Sequence, residues 1–376
     1  MALQYKVRTS SYDERVLELR FDSPNGPDYT EIRASFLPSE WYPQSGVQLT
    51  WPHADTDWHD ILKEVVDCYL RMAYEIASRE PLLIVTPEPE NVRALLATHM
   101  PSAVMANIRI AECPTNDTWA RDHGFITLLT ENTPQLLDFC FNGWGMKFAA
   151  NKDNQINRKL ASQQYFNGTY TNCLGFVLEG GSIESDGEGT ILTTSECLLS
   201  PNRNDHLSKV DIELEIKRLF NASQVLWLDH GYLAGDDTDS HIDTLARLCP
   251  NHTITYVKCD DPSDEHYEEL HKMEEQLCTF RTLNDEPYRL IPLPMPDAIY
   301  DEDGSRLPAT YANFLIINGA VLVPTYGQPQ HDETALKNIG KAFPHRAVVG
   351  IDCRVLIKQH GSLHCCTMQF PANVLK

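Results

Sequence analysis

The chain has 376 residues, which is long enough to bury a large hydrophobic core without disulfides or structural metals. It carries 53 acidic and 31 basic residues, so its formal net charge is −22 at pH 7. Without a basic block, such a chain does not bind the phosphate backbone of nucleic acids or an anionic membrane surface. Its field attracts small cations instead.

The N-terminus and the cysteines bear on the cellular compartment. Residues 1–20 contain no apolar segment of signal-peptide length, and no later segment reaches the roughly 20 apolar residues of a membrane span. The 11 cysteines are scattered and none has the C-x-x-C spacing of zinc or redox sites. We therefore expect a cytoplasmic protein with no membrane partner.

One order of elements recurs along the chain. An apolar strand leads through a helix to a second strand, which ends at a cluster of reactive residues. The order runs from LLIVTP to NDTWARD (82–122), from GTILTTS to DDTDSHID (189–243) and from AVLVPTYG to HGSLHCC (320–366). This recurrence favours similar α/β units whose reactive ends meet around one axis. A doubly wound α/β sheet is the alternative.

The first clusters place carboxylates directly after strands. NDTWARD contributes Asp117 and Asp122, in a loop position that often carries function. A turn with an Arg–Asp surface pair is the simpler interpretation of that segment. In VLEGG, Glu179 follows an apolar strand and precedes two glycines, which leave the backbone free to bend.

The segment DDTDSHID is the richest cluster. It lacks the sixth-position glycine and the final glutamate of a calcium-binding EF-hand loop. Its first three aspartates are typical of a solvated helix cap. His241 and Asp243, two residues apart, can reach one ligand, and the following TLARL (244–248) predicts a helix.

Near the C-terminus, His364 precedes the adjacent cysteines Cys365 and Cys366. Neighbouring cysteines do not chelate one metal comfortably, and a disulfide between them would strain the backbone. A nucleophile and two buried thiols remain as interpretations. In an extended segment the two side chains face opposite sides, so at most one enters a cleft.

Together, a cysteine, a histidine and several carboxylates indicate a thiol enzyme. The polar groups are mostly hydrogen-bond acceptors, whereas acyl transfer requires donors for an oxyanion. Acceptors suit a cationic substrate with many N–H donors, and a guanidinium group has this character.

Several long motifs, in this order, resemble the agmatine deiminases, which are grouped with bacterial-type peptidyl-arginine deiminases in the guanidino-group-modifying pentein superfamily. The motifs are EWYPQSGVQLTWPHADTDW (40–58), NDTWARD (116–122), NGWGMKF (142–148), LEGGSIESDGEGTILTTSECLLSPNRN (178–204), DDTDSHID (236–243), NFLIINGAVLVPTYGQP (313–329) and SLHC (362–365). The resemblance implies an α/β-propeller of five ββαβ units in a pseudo-fivefold arrangement, in a single pentein-type deiminase domain over residues 1–376.

The resemblance also implies roles for individual residues. Cys365 would be the nucleophile and His241 the general acid and base, while Asp122 and Asp243 would bind the guanidinium nitrogens. Glu179 would pair with the histidine and with a substrate nitrogen. The remaining implied substrate-binding residues are Trp119, Trp144, Asp55 and Asp57. No metal and no organic cofactor would take part.

The implied reaction converts agmatine to N-carbamoylputrescine and ammonia through a covalent amidino-cysteine intermediate. Asp55 and Asp57 favour agmatine because they suit its second positive charge. Arg121 could instead clamp a carboxylate, which keeps deimination of free arginine or of peptidyl-arginine as the alternative.

Two further hypotheses come from other classes of protein. One is a metallohydrolase that uses His230, Asp237, His241 and Asp243. The other is a binding protein for polyamines without catalytic activity. A homo-oligomer, in the simplest case a dimer, is left open by the sequence.

Overall fold

The computed structural model describes residues 5–9, 15–21, 28–32 and 35–376, with side chains from residue 35 onward. The strands, in chain order, are β1 (Tyr5–Thr9), β2 (Arg15–Phe21), β3 (Asp28–Ile32), β4 (Ser35–Phe36), β5 (Gln44–Thr50), β6 (Leu82–Thr86), β7 (Ile108–Glu112), β8 (Ile126–Thr130), β9 (Gln135–Cys140), β10 (Thr169–Val177), β11 (Ile183–Ser185), β12 (Thr190–Thr194), β13 (Gln224–Leu228), β14 (Ala246–Cys249), β15 (Thr253–Lys258), β16 (Arg289–Pro294), β17 (Leu315–Ile317), β18 (Ala320–Thr325), β19 (Ala347–Asp352) and β20 (Thr367–Pro371).

Helices alternate with these strands from residue 62 onward. They are α1 (Leu62–Ala77), α2 (Pro89–His99), α3 (Ser102–Met105), α4 (Ala120–His123), α5 (Gly143–Met146), α6 (Ile156–Ser162), α7 (Ser195–Leu198), α8 (Lys209–Phe220), α9 (Ile242–Leu245), α10 (Tyr267–Thr279) and α11 (Pro329–Ala342). Within residues 35–376, no helix is both long enough and apolar enough to cross a bilayer.

The protein has an α/β fold made of several small sheets. In the described part of the chain the sheets have three or four strands each, with the orders β1-β2-β3, β10-β9-β8-β4, β11-β12-β13, β14-β15-β16, β17-β18-β19 and β20-β5-β6-β7. The alternative of one doubly wound sheet is therefore wrong.

Five of these sheets share a local plan. Each contains two parallel strands that are consecutive in sequence and joined by a helix, and an antiparallel strand pairs with the first of the two. The parallel pairs with their helices are β5-α1-β6, β9-α6-β10, β12-α8-β13, β15-α10-β16 and β18-α11-β19. The three recurrent segments predicted from the sequence are confirmed as β6-α2-β7, β12-α8-β13 and β18-α11-β19.

Local sequence explains the crossover helices. In α1, Val65, Tyr69, Met72 and Ile76 recur every three or four residues and are fully buried, so they form the apolar face that packs on the sheet. Helix α8 begins with a capping box. The Ser208 side chain accepts a hydrogen bond from the backbone N–H of Asp211, and the Asp211 carboxylate accepts one from the backbone N–H of Ser208.

The C-terminal strand β20 is an edge strand of the sheet β20-β5-β6-β7. It pairs antiparallel with β5, with Thr367 opposite Leu49. Cys365 and Cys366 immediately precede β20 in the chain. The pairing of β20 with β5 therefore fixes the position of these cysteines relative to the N-terminal part of the protein.

A buried arginine joins separate parts of the structure. Arg247, on β14, has no exposed surface; its Nε donates to Glu184 Oε1 (2.6 Å) and its Nη2 to Glu40 Oε2 (2.7 Å). Its Nη1 donates to the backbone carbonyls of Ala312 and Phe314. Glu40, Glu184 and residues 312–314 lie far from Arg247 and from one another in sequence, so this ion-pair network fixes the relative positions of the sheets.

We expect Arg247→Met to lower the free energy of unfolding by about 3–5 kcal/mol, because the substitution leaves two buried carboxylates without their cation. Urea denaturation measures the change. The matched control is Arg93→Met on the exposed surface of α2, which should change stability by less than about 0.5 kcal/mol. If Arg247→Met lowers the free energy of unfolding by less than about 1 kcal/mol, the stabilising role assigned to the Arg247 ion pairs is wrong.

Candidate active site

Five predicted residues meet although they come from distant segments. Asp122 lies in the short helix α4, Glu179 follows β10, His241 and Asp243 lie at the start of α9, and Cys365 precedes β20. Cys365 is 5% exposed, Asp122 is 4% exposed and the other three have no exposed surface. All five residues lie in loops or short helices between strands, so the sheets hold them in position.

Gly181 shows how closely these groups converge. A Cβ atom at this position would lie 2.7 Å from His241 Nδ1, 2.9 Å from Asp122 Oδ1 and 3.2 Å from Asp243 Oδ2. Three reactive side chains therefore surround one point. Glycine is needed there because any side chain would occupy the space between them.

Asp122 is held in place by two donors. Its Oδ2 accepts from Trp144 Nε1 (2.9 Å) and its Oδ1 accepts from the backbone N–H of Gly181 (3.1 Å). Burial raises the pKa of this carboxyl to about 6. Trp144 reaches it from a tight turn in which the tryptophan itself adopts a left-handed conformation, with φ at 54°.

His241 lies between two carboxylates. Its Nδ1 is 3.7 Å from Asp122 Oδ1 and its Nε2 is 3.9 Å from Glu179 Oε2, and neither ring nitrogen has a hydrogen-bond partner. Burial alone would lower the pKa of the imidazole, but the neighbouring negative charge, above all that of Asp122, raises it well above its ordinary value. A charged, unpartnered imidazolium is suited to donate a proton.

A buried arginine holds Glu179. Arg203 Nε donates to both carboxylate oxygens, at 3.1 and 3.0 Å. Its Nη1 and Nη2 donate to the Asp239 carboxylate and to the Thr238 carbonyl. Burial would raise the pKa of Glu179, but the adjacent His241 imidazole and the charge and hydrogen bonds of Arg203 outweigh it and lower the pKa. Glu179 is therefore kept ionised beside the imidazole.

Asp243 has a different support. Its Oδ2 lies 2.7 Å from Nδ1 of His364, whose Nε2 lies 2.7 Å from Glu40 Oε2. Burial would raise the pKa of Asp243, but the hydrogen bond with His364 outweighs it and lowers the pKa. The other oxygen, Oδ1, is buried and has no hydrogen-bond partner, so it is available to a ligand.

The thiol of Cys365 faces the same space. Its Sγ lies 3.3 Å from Asn313 Nδ2 and 3.9 Å from Asp243 Oδ2. Burial, followed by the charges of Asp243 and Asp122, raises the pKa of this thiol well above its ordinary value. The thiol is therefore neutral at pH 7 until a cation offsets those carboxylates.

Cys366 does not share this environment. Its Sγ donates to the backbone carbonyl of Ser362 (3.4 Å), and it is fully buried. Only Cys365 of the two lines the adjacent cleft, as predicted, but the reason differs, because residues 363–366 form a turn rather than an extended segment.

A narrow cleft, with about 20 Å³ of space open to the centre of a water molecule, leads to Cys365. It is lined by Asp57, Asp117, Trp119, Asp122, Trp144, Phe148, Asp237, Thr238, Gln359, His360, Gly361 and Cys365. Four of these residues are aspartates and none is lysine or arginine. Gly361 admits Trp119 to the wall, because a Cβ at 361 would lie 2.3 Å from the indole ring.

The structure places some predicted residues elsewhere. Asp57 lines the cleft, whereas Asp55 is exposed and is not among the lining residues. Arg121, the predicted carboxylate clamp, is buried and lines a second cavity instead. The predicted helix over TLARL is confirmed for Thr244 and Leu245 and wrong for residues 246–248, because α9 ends at Leu245 and strand β14 begins at Ala246.

The proposed metallohydrolase set does not assemble. His230 is partly exposed and lies 3.3 Å from Glu269. In residues 35–376, the groups whose ligand atoms lie within 4.8 Å of one another are Glu179 with Cys197 and His241, and Glu40 with Glu184 and His364. Glu179 is already paired with Arg203, and Glu40 and Glu184 with Arg247.

Arg203 and Asn313 were not predicted from the sequence as part of the site. Both lie within quoted motifs, in SPNRN and NFLIING, but neither motif shows which distant side chain its polar residue contacts. His364 was noticed as a neighbour of the cysteines, and its contact with Asp243 spans 121 residues.

Comparison with known proteins gives the family. The sequence profile of the Porphyromonas-type peptidyl-arginine deiminases matches residues 36–371, so the chain belongs to this family. Agmatine deiminase from Medicago truncatula is 30% identical, over 89% of this chain and 96% of the relative.

Solved structures agree with this assignment. A Porphyromonas gingivalis protein provisionally described as an arginine deiminase is 53% identical, with a TM-score of 0.86 over 91% of this chain and all of that chain. A cysteine-to-serine variant of C. jejuni agmatine deiminase, with substrate bound, is 37% identical, with a TM-score of 0.82 over 90% of this chain and 97% of that chain.

The environment of His241 predicts a pH effect. Its pKa in the folded protein lies above the unfolded value of about 6.5. The stability that it contributes is therefore full below that unfolded value and is lost as the pH rises through the folded pKa. We expect ¹³C-histidine NMR to show His241 still protonated at pH 7, and Asp122→Asn to lower its pKa.

The His241→Gln variant assigns the resonance by its absence. A His241 titration centred below pH 6.5 in the unsubstituted protein, or one that Asp122→Asn leaves unchanged, would contradict this electrostatic account.

Proposed function

We propose that this protein is an agmatine deiminase, which hydrolyses agmatine to N-carbamoylputrescine and ammonia. The observation that carries the proposal is the convergence of Cys365, His241 and the carboxylates of Asp122, Glu179 and Asp243 at the end of an acidic cleft. The names of the Medicago truncatula and C. jejuni relatives support it.

Charge neutralisation explains how the guanidinium binds. The carboxylates of Asp243 and Asp122 both lie beside Gly181, and Oδ1 of Asp243 has no hydrogen-bond partner. Two carboxylates accept a planar guanidinium through parallel N–H bonds. The bound cation offsets the negative charge around Cys365, which lowers the pKa of the thiol and favours the thiolate.

The reaction then proceeds in two halves. Cys365 Sγ forms a bond to the guanidinium carbon, and the C–N bond to a terminal nitrogen breaks as His241 donates a proton to the leaving ammonia. An amidino thioether remains. Neutral His241 takes a proton from water as the water oxygen bonds to the same carbon, and the C–S bond breaks to release the ureido product and the thiolate.

The charge of the cleft favours an amine at the second end of the substrate. Asp57, Asp117 and Asp237 line the cleft in addition to Asp122, and no lysine or arginine among its lining residues could pair with a carboxylate. Trp119 can cover the methylene chain between the two cationic ends. Free arginine would bring its own carboxylate among these aspartates, which repels it. The name of the 53% identical relative makes arginine the competing substrate to test.

The proposal also covers the fold, the cellular compartment, the cofactors and the oligomer. We propose that the five sheets with the shared plan form a pseudo-fivefold pentein propeller of ββαβ units, in a single deiminase domain. The protein would be cytoplasmic and would act without a metal or organic cofactor, nucleic acid or membrane. A homodimer is compatible with this proposal and is not required by it.

The substrate test compares ammonia release from agmatine, from free arginine and from an arginine-containing peptide. We expect kcat/KM for agmatine to exceed the other two values by at least about 100-fold. The carboxylate of arginine and the amides of the peptide lack the positive charge with which the amine of agmatine interacts with the aspartates of the cleft. Asp57→Asn should raise KM for agmatine about 5-fold or more and leave arginine turnover nearly unchanged. Asp55→Asn is the matched control and should have little effect.

Comparable rates on the peptide would instead favour protein deimination. Preferential turnover of free arginine would assign the competing substrate. Neither outcome would change the role proposed for the cysteine.

The nucleophile is tested separately. Cys365→Ala should reduce ammonia release by at least about 10⁴-fold, because Cys365 is the only cysteine among the described residues that line the cleft. Cys366→Ala should retain most of the activity, since that sulfur faces away from the cleft. Binding of agmatine by the Cys365→Ala variant distinguishes a lost nucleophile from a lost fold. Full activity of Cys365→Ala would exclude the mechanism.

A further inference from the structure

A second cavity lies on the other side of α4 from the cleft. About 60 Å³ of it is open to the centre of a water molecule, and its walls include Arg121, Glu40, Glu184, Gln44, Thr127 and Gln369. None of these six residues lines the cleft that leads to Cys365. The cavity is therefore distinct from the proposed active site.

Arg121 has unused hydrogen-bonding capacity in this cavity. The residue is only 4% exposed, and its Nη1 lies 3.7 Å from the sulfur of Met368. Its Nε and Nη2 are buried and have no hydrogen-bond partner. Buried guanidinium groups are almost always paired, because an unpaired one loses its hydration without compensation.

Other walls of the cavity offer complementary groups. Gln44 Oε1, Thr127 Oγ1 and Gln369 Oε1 also lack hydrogen-bond partners. The orientation of the Gln44 amide is fixed, since its Nε2 donates to the backbone carbonyls of Glu40 (2.7 Å) and Ile316 (2.9 Å). The cavity thus combines a free pair of cationic donors with free neutral acceptors.

The carboxylates of the cavity are already engaged. Glu40 and Glu184 both pair with Arg247, at 2.7 and 2.6 Å. No described carboxylate lies within 4.0 Å of the Arg121 guanidinium as a salt-bridge partner, and Arg121 is the only lysine or arginine among the lining residues. Glu40 and Glu184 carry two negative charges against the one positive charge of Arg247, so Arg121 also balances them at longer range. What the Arg121 guanidinium lacks is an acceptor for its Nε and Nη2 donors.

We propose that this cavity binds a small, planar, monovalent oxyanion that carries a hydroxyl group, the class to which bicarbonate belongs. Nε and Nη2 lie on one edge of the guanidinium plane and can donate to two oxygens of one ligand. The ligand hydroxyl then donates to Gln44 Oε1 or Gln369 Oε1. A spherical halide could accept from Arg121 but would leave the glutamine oxygens without donors.

The site lies close behind the catalytic segment. Arg121 precedes Asp122 in α4, and its backbone N–H donates to the carbonyl oxygen of Cys365 (3.1 Å). A bound anion would therefore fix the side chain of a residue whose main chain supports the nucleophile.

Equilibrium dialysis against ¹⁴C-bicarbonate, in sealed cells at pH 8 and constant ionic strength, tests the proposal. We expect saturable binding of one equivalent per chain. Arg121→Gln should weaken it at least 10-fold, whereas the matched control Arg93→Gln, on the exposed surface of α2, should bind like the unsubstituted protein. Circular dichroism confirms that each variant is folded.

Two milder variants keep the test decisive if Arg121→Gln does not fold. Thr127→Val and Gln369→Met preserve volume, and Gln369→Met should weaken binding at least 3-fold by removing an acceptor. Saturating agmatine, added to the Cys365→Ala variant, should leave bicarbonate binding unchanged.

Three results would overturn the proposal. The first is the absence of saturable binding to the unsubstituted protein, which would mean that the cavity holds water only. The second is equal affinity for bicarbonate in every folded cavity variant. The third is displacement of bicarbonate by agmatine. The last result would place the anion in the acidic cleft. None of them bears on whether agmatine is deiminated.

Discussion

The structure depends on the burial of several carboxylates around one small space. Asp122, Glu179 and Asp243 are each at least 96% buried, and removal of a carboxylate from water is costly unless a cation or several donors replace the water. Arg203 and His364 provide part of this compensation from behind. The remainder must come from the cleft side, and a guanidinium supplies both positive charge and matching donors.

The same constraint governs the nucleophile. Cys365 lies beside Asp243 in a buried site, so its thiol is neutral in the absence of a ligand. A cationic substrate reverses this electrostatic effect at the moment when a thiolate is needed. His241, charged by its carboxylate neighbours, provides the proton for the leaving group. Binding, thiol activation and proton delivery therefore all follow from one cluster of acids.

Sequence analysis predicted these reactive residues but not the contacts that support them. The recurrent strand–helix–strand segments are confirmed because alternating and helical apolar patterns are local properties of the chain. The partners Arg203 and Asn313 could not be chosen from the sequence, because pairing depends on how distant segments meet. TLARL was predicted as a helix from its composition, yet pairing with β15 makes residues 246–249 a strand. Likewise Arg121, next to Asp122, faces the opposite cavity.

The central claim is that Cys365 receives the guanidinium carbon. Its most direct test is to mix the protein with agmatine, quench in acid within milliseconds to seconds, and search the peptides by mass spectrometry for an amidino adduct. The account predicts an adduct on Cys365 that forms and decays with turnover. An adduct on Cys366, or steady turnover with no modified cysteine at any time, would contradict it.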